Sequence, residues 1–204
     1  LDLGGVTRDG DELRIGTLST WDEVGRSLEL DSPGLAGLSE CASWIGDLQV
    51  RNRGTIGGSL AHADPASDMP AMLLALGARV EVRSAEGERS LPLSELFVGP
   101  FTTTLRDGEL ITAVVVPVPP PGFGSAYASV EHPASGFALA GAGALVRADG
   151  TSAVGLTGVA AHPVLLPEGA SLEGIEVYGD RFAPAEYKRH VAGVVARRAL
   201  GRAQ

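Results

Sequence analysis

The chain has 204 residues, of which 44% are hydrophobic and 20% charged, so it is able to bury a core and does not have the composition of a disordered chain. Its formal net charge is −9, from 16 Lys+Arg against 25 Asp+Glu, without a basic run, which argues against nucleic acid as a partner. Its apolar runs are too short to span a bilayer. Cys41 is its only cysteine, which excludes an intrachain disulfide and a cysteine-ligated iron–sulfur cluster on this chain alone. A single cysteine also fits a reducing cytoplasm.

The first part of the chain is predicted to form a strand followed by two helices. Residues 12–17 alternate apolar and polar side chains, as a half-buried strand does. Thr20 and Glu23 have the spacing of a capping box, which opens a helix. Apolar residues then recur at near-helical spacing between Leu35 and Ile45. A second helix therefore leads into the next segment, which is rich in glycine.

The segment RNRGTIGGSLAHADPASD, residues 51–68, joins a glycine-rich turn to an acidic helix start. The residues that offer flexible backbone or hydroxyl groups are Gly54, Thr55, Gly57, Gly58 and Ser59. Glycine has no Cβ, so the backbone here is able to take positive φ and to come close to a ligand, exposing its N–H groups to an anion. No lysine follows the glycines as in a P-loop, and their spacing is not that of a Rossmann fingerprint. Taken alone, the segment is better explained as a plain turn between elements, because glycine-rich loops are common.

The middle of the chain is predicted to contain one more helix and then strands. Apolar residues between Met69 and Leu76 fall at i, i+3, i+4 and i+7, which indicates an amphipathic helix, and Gly77 ends it. Residues 78–83 alternate as a strand, and residues 110–118 form an apolar, β-branched run that is typical of a buried strand. A proline-rich connection follows this run.

The last third of the chain is predicted to form a small antiparallel sheet and a final helix. Residues 124–130 and 137–147 have strand patterns, and Asp149-Gly150 marks a hairpin turn into residues 152–159. The second of these strands is rich in glycine and alanine, which suggests that another backbone or a ligand approaches it closely. Residues 185–200 place apolar side chains on one face and arginines in the last turns, which predicts a helix.

Four segments resemble, in the same order, the FAD-binding (medium) subunits of molybdenum hydroxylases, a family that includes carbon monoxide dehydrogenase and xanthine dehydrogenase. The segments are RNRGTIGGSLAHADPASDMPAMLLALGA (51–78), FVGPFTTTLRDGELITAVVVP (97–117), HPASGFALAGAGA (132–144) and AEYKRHVAGVVARRAL (185–200). The resemblance implies an α+β fold. A PCMH/VAO-type FAD-binding domain would occupy residues 1–121, and a C-terminal domain of antiparallel sheet plus helix would occupy residues 122–204.

The resemblance also implies a set of FAD-binding residues. Those that would contact the diphosphate and ribityl region are Thr55, Ile56, Gly57, Gly58 and Ser59. Asp68 would lie at the flavin, although aspartate is also favoured as a helix N-cap and both roles can coexist. Asp64, followed by a proline that suits a first helical turn, is a weaker candidate of the same kind. Leu105 matches a position that packs against the flavin, and simple core packing explains it equally well.

The implied chemistry is electron transfer, with no catalytic side chain and no metal ligand on this chain. His62 and Asp64 are two residues apart and do not make a metal site by themselves. In the family, substrate is oxidised at a molybdenum cofactor on a large subunit, and electrons pass through [2Fe-2S] clusters on a small subunit to FAD. The flavin then reduces a quinone, NAD or oxygen, while the protein holds and tunes it.

Two departures from the family pattern leave other functions open. Relatives carry an earlier diphosphate loop of the AGGHS or AGGQS kind, and nothing before Leu13 resembles it, so we expect the FAD-binding domain to be partial. Relatives also often place a lysine just after the aromatic residue corresponding to Tyr127, where Ala128 and Ser129 stand here. A subunit of the same complex that does not bind FAD is one alternative. A stand-alone flavin oxidase of the vanillyl-alcohol type is another, but it would need acid–base residues that the sequence does not show.

Overall fold

The computed structural model describes residues 3–204, which form a five-stranded, a four-stranded and a small two-stranded antiparallel sheet, with helices between and beside the two larger sheets. In chain order the elements are β1 (Val6–Asp9), β2 (Glu12–Gly16), α1 (Trp21–Arg26), α2 (Ala36–Trp44), α3 (Leu48–Arg51), α4 (Ile56–His62), α5 (Met69–Ala75), β3 (Arg79–Ser84), β4 (Gly87–Pro92), β5 (Phe97–Gly99), β6 (Thr102–Thr103), β7 (Leu110–Pro117), β8 (Gly124–Glu131), β9 (Ala138–Val146), β10 (Ser152–Thr157), β11 (Val164–Leu165) and α6 (Ala185–Ala203). Short 3-10 turns lie at Leu28–Leu30, Leu93–Glu95 and Glu168–Ala170. The predicted α+β class and the predicted main elements are confirmed.

The first sheet has the strand order β1-β2-β7-β3-β4, and the apolar run β7 lies at its centre. Antiparallel pairing joins β7 to β2 on one side and to β3 on the other. Leu13 and Ile15 of β2 and Val114 and Val116 of β7 are buried in the same core. This core holds the sheet against α4, and it also contains Trp21 and Val24 of the capping-box helix α1, whose Thr20–Glu23 box forms as predicted.

The second sheet, of order β11-β10-β9-β8, is covered on one face by α2 and α5 and on the other by α6. Its glycines bring α5 unusually close. A Cβ on Gly143 would lie 2.4 Å from Met72 Cα, and one on Gly155 would lie 2.1 Å from the Ala71 carbonyl oxygen. The prediction that another backbone approaches this sheet is therefore confirmed, and the backbone is that of helix α5.

The glycine-rich segment begins a helix, so the prediction of a glycine turn is wrong. Residues 56–62 form helix α4, and Thr55 is its N-cap residue. None of the three glycines at positions 54, 57 and 58 has a positive φ. The physical reason for glycine is close packing, because a Cβ on Gly57 would lie 1.6 Å from Thr17 Oγ1, and one on Gly54 would lie 2.8 Å from Trp21 Nε1.

The two larger sheets pack against a common hydrophobic core, in addition to being joined by a linker. Tyr127 of β8 and Leu145 of β9 belong to the core that holds the first sheet and α5. The predicted boundary at residue 121 falls in the connection between β7 and β8, and the division into two domains stays a prediction. Among residues 3–204, no helix combines the length and the apolar character needed to cross a membrane.

Candidate cofactor site

A groove of about 490 Å³ lies beside the start of α4 and opens to solvent. Three residues predicted to bind FAD line it together, namely Thr55, Gly57 and Gly58. The other residues that define its chemistry are Thr17, Leu18, Arg83, Leu110 and Thr112. Leu18 and Leu110 expose 58% and 70% of their surface, so apolar walls stand beside hydroxyl groups. A groove of this size and mixed chemistry is typical of a small-molecule site.

The backbone amides at the start of α4 are mostly occupied within the chain. The Ile56 N–H donates to the Ser19 carbonyl at 3.0 Å, and the Gly57 N–H donates to the Thr17 carbonyl at 2.9 Å. The exposed Gly58 N–H donates to Thr55 Oγ1 at 3.2 Å. The expectation of a row of open amides is therefore wrong for the first two, because those bonds dock the helix onto the segment that precedes α1. The Gly58 N–H is bonded to the Thr55 side chain, but it lies at the surface.

The side chains of Ile56 and Ser59, which were also predicted to bind FAD, both make contacts within the chain. The side chain of Ile56 is fully buried in the core and anchors α4 to the first sheet. Ser59 is half-buried, and its Oγ lies 2.8 Å from Ser67 Oγ, next to the start of α5. Ser59 therefore connects the groove beside α4 to the loop that carries Asp68.

Asp68 is a buried carboxyl group at the start of α5. It occupies the N-cap position, as the alternative role predicted, but its side chain makes no capping hydrogen bond. Its Oδ1 instead accepts a hydrogen bond from the Tyr127 hydroxyl. Burial raises the pKa of Asp68 to about 6, although the bond from Tyr127 acts in the opposite direction. Burial likewise raises the pKa of the Tyr127 hydroxyl well above its ordinary value.

Asp64 and Leu105 lie outside the lining of the groove. Asp64 Oδ1 accepts a hydrogen bond from the Ala66 N–H at 2.9 Å and stabilises the turn before α5. Its side chain borders a different groove, of about 560 Å³, that also contains the buried Lys188. Leu105 is half-buried and packs against the first core. Within residues 3–204, no group of three His, Cys, Asp or Glu side chains is placed to hold a metal ion.

The profile of one protein family, described as "FAD binding domain in molybdopterin dehydrogenase", matches residues 1–119. The chain belongs to this family. FAD is therefore the family cofactor, and the predicted family is confirmed.

Individual proteins similar to this chain are consistent with its membership of the molybdopterin dehydrogenase family. The carbon monoxide dehydrogenase medium chain of Afipia carboxidovorans is 34% identical over the whole of this chain, which spans 78% of that relative. The 6-hydroxypseudooxynicotine dehydrogenase complex subunit alpha of Paenarthrobacter nicotinovorans is 42% identical over 72% of this chain and 49% of its own length. Among solved structures, reconstituted CO dehydrogenase from Oligotropha carboxidovorans matches 99% of this chain and 78% of its own, with 33% identity and a TM-score of 0.90. These relatives are subunits of oxidoreductases.

The groove fits the cofactor of this family. Around a Cβ placed on Gly58, the one atom within 4 Å is Thr55 Oγ1, at 2.9 Å, so the space above this glycine is open to a ligand. The neighbouring hydroxyl groups suit phosphate oxygens, and the exposed leucines suit flat apolar rings. Thr17, Leu18 and Leu110 were missed by sequence reasoning, because only the docking of α4 onto the first sheet places them beside the glycines.

Proposed function

We propose that this chain is the FAD-binding electron-transfer subunit of a molybdenum-containing dehydrogenase or hydroxylase. The observation that carries the proposal is the groove at the start of α4, where Thr55, Gly57 and Gly58 meet in a domain of the FAD-binding family. Bound FAD would supply the redox chemistry, accepting electrons and passing them on. The chain itself would bind and orient the cofactor and would exclude water from it.

Each predicted residue has a proposed part in holding FAD. Thr55 and Gly58 would contact the diphosphate through a hydroxyl group and a backbone amide. Ser59 and Asp68 would face the ribityl and flavin region, because the contact between Ser59 and Ser67 leads from the groove toward the start of α5. Leu105 would pack against the flavin, and Ile56 and Gly57 would act by holding α4 in place. Asp64 would keep the turn before α5 in shape.

The remaining parts of the electron path are proposed to lie on other chains. A small subunit would carry the [2Fe-2S] clusters, because this chain has one cysteine, Cys41, which is buried. A large subunit would carry the molybdenum cofactor and choose the substrate. The acceptor would be a quinone, NAD or oxygen. The names of the relatives support a multi-subunit assembly, since they include a "medium chain" and a "complex subunit alpha".

Substitution of Gly58 tests the proposal directly. Gly58→Leu places a side chain in the groove, and we expect it to weaken FAD binding by about tenfold or more, which corresponds to about 1.4 kcal/mol. Gly201→Leu is the matched control, because Gly201 is also an exposed helix glycine with open space around it. FAD binding is measured by fluorescence quenching, and folding by circular dichroism. Equal FAD affinity in the wild type and in Gly58→Leu would refute the groove as the site.

One alternative function keeps a specific observation in its favour. A structural subunit that does not bind FAD would be consistent with the two amides of α4 that already bond to the chain. Visible spectra of the purified complex separate the functions. Flavin beside iron–sulfur absorbance supports electron transfer, absence of flavin supports the structural subunit, and flavin with direct oxidation of an alcohol by the chain alone supports a stand-alone oxidase.

A further inference from the structure

Tyr127 is held at three points by residues from three other elements. Its hydroxyl donates to Asp68 Oδ1 at the start of α5. Its backbone N–H donates to Glu40 Oε2 of α2 at 3.0 Å, and its carbonyl accepts from Arg202 Nη1 of α6 at 2.9 Å. Glu40 and Arg202 also form an ion pair with each other. The position of this tyrosine is therefore fixed through both its backbone and its side chain.

The space around the Tyr127 hydroxyl is shaped to admit it. Tyr127 is 1% exposed. A Cβ on Gly141 of the adjacent strand β9 would lie 2.2 Å from the hydroxyl oxygen, so glycine is needed there. A phenylalanine would fill the same core volume without the polar atom. The hydroxyl is thus accommodated for its bond to Asp68 and not for apolar packing.

The groups around Asp68 make the hydrogen bond from the Tyr127 hydroxyl important for the charge of the Asp68 carboxyl group. Tyr127 and Glu131 act on Asp68 from β8, and Cys41 interacts with it from α2. Glu131 disfavours the ionised carboxylate, as does burial, whereas the Tyr127 hydroxyl favours it. Removal of this hydroxyl should therefore leave Asp68 protonated to a higher pH.

We propose that Tyr127, fixed by Glu40 and Arg202, is a positioning residue that orients the Asp68 carboxyl group toward FAD and sets its charge. This inference rests on the proposed function, because Asp68 is assigned to the flavin region there. Tyr127 is buried and would not itself contact the cofactor. It acts through Asp68, and the Glu40–Arg202 pair acts through Tyr127.

The first experiment needs no cofactor. The carboxyl ¹³C resonance of Asp68 is titrated by NMR in the FAD-free full chain, assigned with Asp68→Asn, in the wild type, Tyr127→Phe and Tyr187→Phe. The wild-type midpoint is expected at about 6. Tyr127→Phe should raise it by about one unit, since it removes a hydrogen bond to the charged form. Tyr187→Phe removes the hydroxyl of an exposed tyrosine and should leave the midpoint unchanged.

The second experiment measures the midpoint potential of bound FAD against pH in the assembled complex. In the wild type, the slope of this plot is expected to change near the Asp68 midpoint. Tyr127→Phe should move the change of slope upward by the same amount as the NMR midpoint. Asp68→Asn should abolish it, and Tyr127→Phe should then have no additional effect. Glu40→Gln keeps an acceptor for the Tyr127 N–H but loses the ion pair, and should give a smaller shift in the same direction.

The outcomes separate this inference from the proposed function. A wild-type complex without FAD refutes the proposed function, and the inference with it, whatever the NMR titration shows. Bound FAD with an unchanged Asp68 midpoint in Tyr127→Phe overturns the inference alone. A shifted NMR midpoint with an unchanged potential–pH plot also overturns it, because Asp68 would then not act on the flavin. If Tyr127→Phe does not fold, Glu40→Gln provides the same test.

Discussion

Substitution of Asp68 by asparagine is expected to change the stability of the protein in a pH-dependent way. The pKa of the folded carboxyl group is about 6, against an ordinary value of 3.8. The folded state therefore binds more protons than the unfolded state between these two values, and stability falls as pH rises through that window. Above about pH 6 the full penalty is present. A difference of about two units corresponds to about 3 kcal/mol.

Asp68→Asn removes this titration while keeping an oxygen that accepts from Tyr127. The free energy of unfolding of the variant minus that of the wild type should therefore rise by about 3 kcal/mol between about pH 3.8 and pH 7. A constant offset is also expected, because the new amide N–H₂ is buried and needs partners, which costs about 1–3 kcal/mol if they are lacking. The prediction concerns the change of the stability difference with pH, and not the size of the constant offset.

The assay is urea denaturation of the FAD-free chain at several pH values from 4 to 8, followed by circular dichroism. Asp64→Asn, in the same loop but half-exposed, controls for the loss of one negative charge. If the stability difference between Asp68→Asn and the wild type were the same at every pH, the buried carboxyl would not be destabilised by its surroundings. Burial would then not be the cause of the raised pKa of Asp68.

Two other substitutions test the close packing of glycines. Gly57→Ala should destabilise the chain by about 1–3 kcal/mol in urea denaturation, because its Cβ would lie 1.6 Å from Thr17 Oγ1, and Thr17→Gly should restore part of the loss. If Thr17→Gly restored no stability to the Gly57→Ala variant, this contact would not be the cause of the loss. Gly143→Ala should cost at least as much, because its Cβ would lie 2.4 Å from a backbone atom of α5, which cannot rotate away. A stable Gly143→Ala with unchanged cooperativity of unfolding would contradict that packing.

Local patterns in the sequence were sufficient for most of the longer elements, but they did not predict α3, α4 or the short strands β1, β5, β6 and β11. The alternation in β2, the capping box at Thr20 and the helical spacing of α5 each depend on neighbours in the chain, and each element forms where it was predicted. The glycine-rich segment was misjudged for a physical reason. Glycine was explained by backbone freedom, whereas Gly57 is required by Thr17, which lies 40 positions earlier and comes close only after folding.

The candidate site shows the same division between local and distant causes. The family resemblance identified Thr55 and Gly58, and the structure places both in one groove. The partner of Asp68 was not foreseen, because Tyr127 is 59 positions away and its strand gives no sign of which helix it meets. Leu18 and Leu110 were also not predicted as site residues. Exposed leucines are common on protein surfaces, and only the folded arrangement of these two forms an apolar wall of the groove.

The bonds that hold Tyr127 also affect how this protein can associate with others. Strand β8 is the last strand on its side of the second sheet, and such strands tend to pair with strands of other chains. Here the Ser125 N–H donates to the Pro33 carbonyl, and the Tyr127 N–H and carbonyl are taken by Glu40 and Arg202. An incoming strand would find these sites already occupied. At Tyr127, pairing with another strand is thus blocked by the same side chains that fix the tyrosine.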